Sequence, residues 1–335
     1  MKRTGIYLLV IVVATLGLLA VVRENHASAA GAAFPDLIEL APADSTMVAY
    51  ADLAALRQSP LVQQLTSLAQ PPQTDSDYTA FVSATGFDYQ RDLDRVMVTM
   101  NSANPDKALV LAEGRFDQEK IEQYALRTGK LEQENGRAVY VEPSTTASGK
   151  SIHFAFPSAD RIAISIGGAL PAAFSTNSPS TIDPGMRDRL SRVSGAPIFG
   201  VFNSSGLAKN AAGSPGMSQA LTAQLAALRW VSLAVQPDGG NVLLSAEGEC
   251  DKAEQAQGIA GTLELLRAVA RGAIADPKSR GQIPADSVVA AGKLLDSLKI
   301  TTDSTHVRLM MSLTPDLLRF PRPTAPVAPL APAIH

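Results

Sequence analysis

A chain of 335 residues with 46% hydrophobic content exceeds one average domain and can bury a proper core. Its 29 Lys and Arg against 32 Asp and Glu leave it mildly acidic, and aromatics make up only 5%, which disfavours a nucleic-acid binder and a stacking platform for single strands or sugars. A lone cysteine, Cys250, excludes an intramolecular disulfide; between Glu249 and Asp251 it reads as a small buried hydrophobe rather than a reactive thiol.

The N-terminus carries Lys2 and Arg3, then an unbroken apolar run over residues 5–22, then Ala27-Ser28-Ala29. That order is an export segment: the basic pair stays inside, and small residues at 27 and 29 suit signal peptidase. The run is eighteen residues long, near the lower limit for spanning a bilayer, so both a signal peptide cleaved near Ala29 and a retained inner-membrane anchor of residues 5–22 fit. The expected address is periplasmic.

From Phe34 to Phe320 apolar strands alternate with amphipathic helices. Met47 to Ala51 reads as a strand, and Asp52 then caps a helix with Leu53, Leu56, Leu61, Leu65 and Leu68 on one side. Arg95–Asn101 and Lys107–Glu113 form a predicted hairpin, Asp117 opens a helix, and strands follow at Ala138–Val141, Ser151–Phe156 and Arg161–Ile166. A second series begins with Ile-Phe-Gly-Val-Phe after Pro197, then a helix near Met217–Leu228, a hairpin of Arg229–Gln236 with Asn241–Glu247, and a long helix opened by Asp251 with Ile259, Leu263, Leu266 and Ala270 facing inward. A further helix, a hairpin turned at Asp303-Ser304 and a short capped helix close the body. The end, residues 321–335, is proline-rich and expected as an extended, disordered tail.

The two series match. AEGRFD at 112–117 and AEGECD at 246–251 differ by a shift of 134 residues, shared by Arg95 and Arg229, whereas Val48 and Phe199 differ by 151. Removing one hairpin residue pairs Val96, Val98 and Met100 with Val231, Leu233 and Val235 and keeps the strand faces in phase. The expected fold is therefore α+β: two diverged copies of an antiparallel sheet with helices on one face, as tandem ferredoxin-like (split βαβ) units, one over 34–185 and one over 186–320.

The stretches PADSTMVAYADLAALRQSPLVQQL at 42–65 and KLLDSLKITTDSTHVRLMMSLTPDLL at 293–318 resemble segments of uncharacterised exported bacterial proteins, of a domain-of-unknown-function type with an N-terminal anchor. That resemblance implies an envelope address and an α+β body and supplies no active residues.

Candidate chemistry is sparse. Ala163-Ile164-Ser165-Ile166-Gly167 nearly matches a nucleophile elbow, but Ser165 alternates with isoleucines as a strand serine does. Gly149-Lys150-Ser151 ends like a phosphate loop, yet Ser144 replaces the first glycine and a strand follows. The histidines His26, His153, His306 and His335 share no metal-ligand spacing; His153 and His306 read as solvent-side strand residues, and Asp52, Asp117 and Asp251 as helix caps. No metal, cofactor or catalytic constellation is indicated. The sequence is read as a non-enzymatic envelope protein that binds a partner protein or an apolar ligand, with an exported serine hydrolase using Ser165 and His306 as the alternative.

Overall fold

The computed structural model describes residues 36–58, 76–143, 150–171, 174, 182–204, 226–238, 240–276 and 285–314. The expected leader, the proline-rich tail, the short helix before it, the Leu61–Leu68 part of the first helix and residues 217–225 of the helix near Met217 lie outside them.

In chain order the elements are α1 Asp36–Glu39, β1 Met47–Asp52, α2 Leu53–Arg57, α3 Ser76–Thr85, α4 Tyr89–Asp92, β2 Leu93–Asn101, β3 Asn104–Gly114, α5 Gln118–Ala125, β4 Lys130–Glu134, β5 Arg137–Glu142, β6 Ile152–Ser158, β7 Arg161–Ile166 and α6 Pro184–Ser191. There follow β8 Ile198–Asn203, β9 Leu228–Asp238, β10 Asn241–Cys250, α7 Ala253–Ala275, α8 Ala285–Ser297, β11 Lys299–Asp303 and β12 His306–Leu313. The strands make one antiparallel twelve-stranded sheet in the order β11-β12-β10-β9-β8-β1-β2-β3-β7-β6-β5-β4. Local chemistry sets the helix starts. Asp52 accepts from the Ala55 amide at 2.8 Å and Asp117 from the Lys120 amide at 3.2 Å, as expected. Asp251 does not cap: it pairs with Arg229 at 2.6 Å, and the Gln255 side chain accepts from the Lys252 amide to start α7.

The α+β class stands, but the order of strands is not that of a split βαβ unit. That unit inserts a third strand between its first two, whereas here β1 pairs directly with β2 and with β8, so both its edges are taken. Nor do the helices keep to one face. Val48, Tyr50, Met97, Phe199 and Val201 alternate with Ala49, Ala51, Val96, Ile198 and Gly200, so the central strands are apolar on both sides and both need cover. On what we call the back face, Leu37 and Ile38 of α1 and Met186 and Leu190 of α6 complete a core with Val48, Tyr50 and Met97. On the front face, α3 and α5 cover one end through Phe81 and Ile121, over Val110, Ile152 and Phe154 of the sheet. At the other end α7 packs through Ala256 and Ile259 onto Cys250 and Val307, with α8 beside it.

With the two AEG segments set level, the strand residues expected to match between the halves fall two positions apart. Val96 faces Ala112, and its counterpart facing Ala246 is Leu233, not Val231; likewise Tyr50, not Val48, takes the place of Phe199. An even displacement keeps every side chain on its face, so the in–out pattern survived a wrong register. Arg95 stands opposite Glu113 while Ser232, not Arg229, stands opposite Glu247.

Candidate functional site

Between the two front-face helix pairs the middle of the sheet carries, among the described residues, only the short α2, whose Leu56 packs on Ala51 and Ile198. The register there lays two transverse rows of side chains across five strands, β2, β1, β8, β9 and β10, and on to β12. One row is Val98, Ala49, Gly200, Leu233, Ala246 and Leu309; the other is Val96, Ala51, Ile198, Val235, Leu244 and Met311. Every one is apolar. Ala49 and Gly200 at the centre of the first row, flanked by Val98 and Leu233, lower the floor into a groove of about 560 Å³. Its length from β2 to β10 is about 19 Å, four strand spacings. Leu53 and Tyr89 border it on the first-half side and Leu298 on the other. Leu233 remains 40% exposed in its floor.

Gly200 is held small by its neighbours as well as by the groove, since a Cβ there would lie 3.2 Å from the Val48 carbonyl oxygen. Directly beneath, on the back face, Tyr50 and Phe199 are paired across β1 and β8 with ring centroids 5.0 Å apart, and burial raises the Tyr50 phenol above its ordinary range. The floor is thus backed by packed rings. Among the described residues no ionised side chain lines the groove; of the polar residues along it, Tyr50 and Ser245 occupy back-face positions and Tyr89 borders the front. Such a lining recognises hydrocarbon and offers no charged partner to a headgroup.

A second apolar surface runs along the outer side of α7. Leu265 is 64% exposed and Val269 61%, with Leu266 beside them, so the expected inward direction of Leu266 does not hold; the helix turns Ile259 and Leu263 to the sheet instead.

The residues singled out from sequence scatter. Ser165 is buried in β7 and donates to the Ala169 carbonyl at 3.3 Å, while His306 begins β12 next to Arg192. Seven strand spacings, about 34 Å, separate their strands, so the structure does not bring this alternative pair together. Cys250 is buried against Ala256, Ile259 and Val307, and burial pushes its thiol up, in keeping with a structural role. Residues 144–149 lie outside the described residues; Lys150 pairs with Asp106 and leads into a strand. Among the described residues no group of three His, Cys, Asp or Glu could hold a metal, and no helix is long and apolar enough to cross a membrane.

His153 departs most from expectation. Instead of facing solvent it is 13% exposed, with Nδ1 2.5 Å from Glu134 Oε1 and Nε2 2.8 Å from Ser151 Oγ. Glu134 comes from the β4–β5 hairpin, whose Asn135-Gly136 turn has φ of 51° and 78° and whose first strand was not anticipated.

No protein-family model and no curated protein matches the chain. Solved structures similar to it include crystal form III of TP0453, at 8% identity over 84% of this chain and 94% of that one with a TM-score of 0.49. Crystal form IV of the same protein aligns at 9% identity over 86% and 96% with a TM-score of 0.46.

Proposed function

We propose that this is an exported envelope protein that binds a small molecule with a hydrocarbon body in the groove across β2, β1, β8, β9 and β10. The N-terminal run carries it across the inner membrane and is then cleaved near Ala29 or kept as an anchor. The observation that carries the binding reading is the lining: apolar side chains from five paired strands, of which the row from Val98 to Leu309 stays partly exposed among the described residues, beside α2 and between helix pairs that cover both neighbouring parts of the same face. A volume of about 560 Å³ suits a small ligand rather than a protein partner, whose interface would be broader.

The body is read as two diverged copies of one five-stranded unit, joined edge to edge at β1 and β8. In support, β1-β2-β3-β7-β6 and β8-β9-β10-β12-β11 follow the same order from that seam. Each third strand also holds a glutamate bound to the arginine directly opposite: Glu113 to Arg161 at 2.7 Å, and Glu247 to Arg308 at 2.6 Å. On this reading the groove forms where the copies meet, and β4 and β5 are an addition to the first.

Native mass spectrometry of the full chain purified from bacterial cells tests the binding. The expected result is a bound mass that organic extraction removes and that leaves a protein able to take up one equivalent of an apolar fluorescent probe. Bare protein with no saturable uptake, as would follow if the chain's own remaining segments filled the groove, contradicts it.

A further inference from the structure

Far from the groove, on the back face, Glu134, His153 and Ser151 form a hydrogen-bonded relay. Ser151 immediately precedes β6 and His153 is its second residue, so the two side chains project from the same face. The geometry fixes the tautomer. Glu134 Oε1 accepts at 2.5 Å, so Nδ1 carries the proton and Nε2 is left to accept from the Ser151 hydroxyl at 2.8 Å. The other Glu134 oxygen accepts from the Leu170 amide at 2.9 Å, which holds the carboxylate in place. Acid, imidazole and hydroxyl are thus connected in the sense that acyl transfer requires.

A loop beside the relay supplies what else such a step needs. It turns at Gly167, at φ of 75°, and ties back to the relay as the Gly167 amide donates to the Ser151 carbonyl at 2.9 Å. The amides of Gly168 and Ala169, next along it, have no backbone acceptor among the described residues, and the Lys107 ammonium lies against Gly168. Val141, paired with His153 across β5 and β6, and Leu170 are buried behind the relay and hold it against the back-face core.

We propose that Ser151, His153 and Glu134 form a hydrolytic centre for carboxylic esters. His153 Nε2 takes the hydroxyl proton as Ser151 Oγ bonds to the carbonyl carbon. The carbonyl oxygen gains the negative charge, for which the Gly168 and Ala169 amides and the Lys107 ammonium of the adjoining loop are assigned as donors. The ester C–O bond then breaks, the imidazole proton passes to the departing alkoxide, and an alcohol leaves. Water, deprotonated by the same nitrogen, attacks the acyl-serine, releasing the carboxylic acid and returning the proton to Ser151. Glu134 is a positioning residue that touches no substrate. This centre is independent of the groove and lies beyond the binding role.

The test uses the full chain with a fluorophosphonate probe and p-nitrophenyl butyrate. The expected result is a phosphonyl adduct mapped by peptide mass spectrometry to Ser151 and lost in Ser151→Ala. His153→Gln should lower kcat on the order of 10²–10⁴-fold. Glu134→Gln should lower kcat with little change in KM, which a purely structural loss would not do. An unlabelled wild-type protein with an intact circular dichroism spectrum overturns the proposal. So does an adduct on Ser165 or another serine, or turnover that persists in Ser151→Ala.

Discussion

Placing a carboxylate in the floor of the groove separates binding from folding. Leu233 stands in the low row between Gly200 and Ala246 and is 40% exposed, so Leu233→Asp gives up the buried part of the side chain but leaves the new charge in reach of water while the groove is empty. The expected loss of stability is about 1–2 kcal/mol, the worth of the three-fifths of the leucine already buried. A bound hydrocarbon would complete the burial of Leu233. A fully buried leucine contributes about 1.5–3 kcal/mol, so the exposed two-fifths is worth about 0.6–1.2 kcal/mol, a loss of roughly 3- to 8-fold in Kd. Desolvating the new carboxylate adds to that loss. Titration of an apolar fluorescent probe into wild type and variant reads the ratio, with thermal unfolding as the control. Equal affinities, with both proteins folded at the titration temperature, would refute the reasoning.

Other predictions follow from single contacts. Leu190 of α6 is wholly buried on the back face, so Leu190→Ala should cost about 2–5 kcal/mol in a denaturant titration. Gly114 ends β3 where a Cβ would sit 2.3 Å from the Asp92 carbonyl oxygen; Gly114→Ala should destabilise by about 1–3 kcal/mol, because the clash is with backbone. Burial alone would raise the Glu249 pKa, but bidentate pairing with Arg189 at 2.7 and 2.9 Å outweighs it and lowers the pKa. A carboxylate depressed in the folded state stabilises above its unfolded pKa, about 4.3 for Glu, and loses that contribution as pH falls through the folded value. Wild type should therefore lose more Tm than Glu249→Gln between pH 7 and acid pH, as read by melting in matched buffers. A periplasm-dependent reporter fused to the carboxyl end should be active; a cytosolic reporter signal would remove the export reading.

Much of the fold was legible because strand alternation is strong in this chain. The strands expected at Met47–Ala51, Arg161–Ile166 and Asn241–Glu247 are present as Met47–Asp52, Arg161–Ile166 and Asn241–Cys250. Register was less legible, since sliding a strand by two residues leaves the pattern unchanged, and AEG occurs where the matching strands have unlike partners in Arg95 and Ser232. The β4–β5 hairpin was missed although Asn135-Gly136 is a strong turn signal, because Lys130–Glu134 reads KLEQE, with one apolar residue to mark a strand. The groove is invisible in one strand: Ala49 and Gly200 look like ordinary small residues until the register sets them side by side between Val98 and Leu233. The relay left no motif, since Glu134 reaches His153 only through the folding of the hairpin. Ser165 drew attention by its neighbours' spelling, yet the register places it beside His153 as a buried strand residue.

Photolabelling tests the central claim most directly. A diazirine-bearing alkane, irradiated with the full chain at one equivalent and mapped by peptide mass spectrometry, should mark peptides carrying Ala49, Val96, Leu233 or Met311, and unlabelled alkane should compete. Labelling confined to the Leu265 and Val269 side of α7, or labelling without competition, would contradict an apolar binding site at the centre of the sheet.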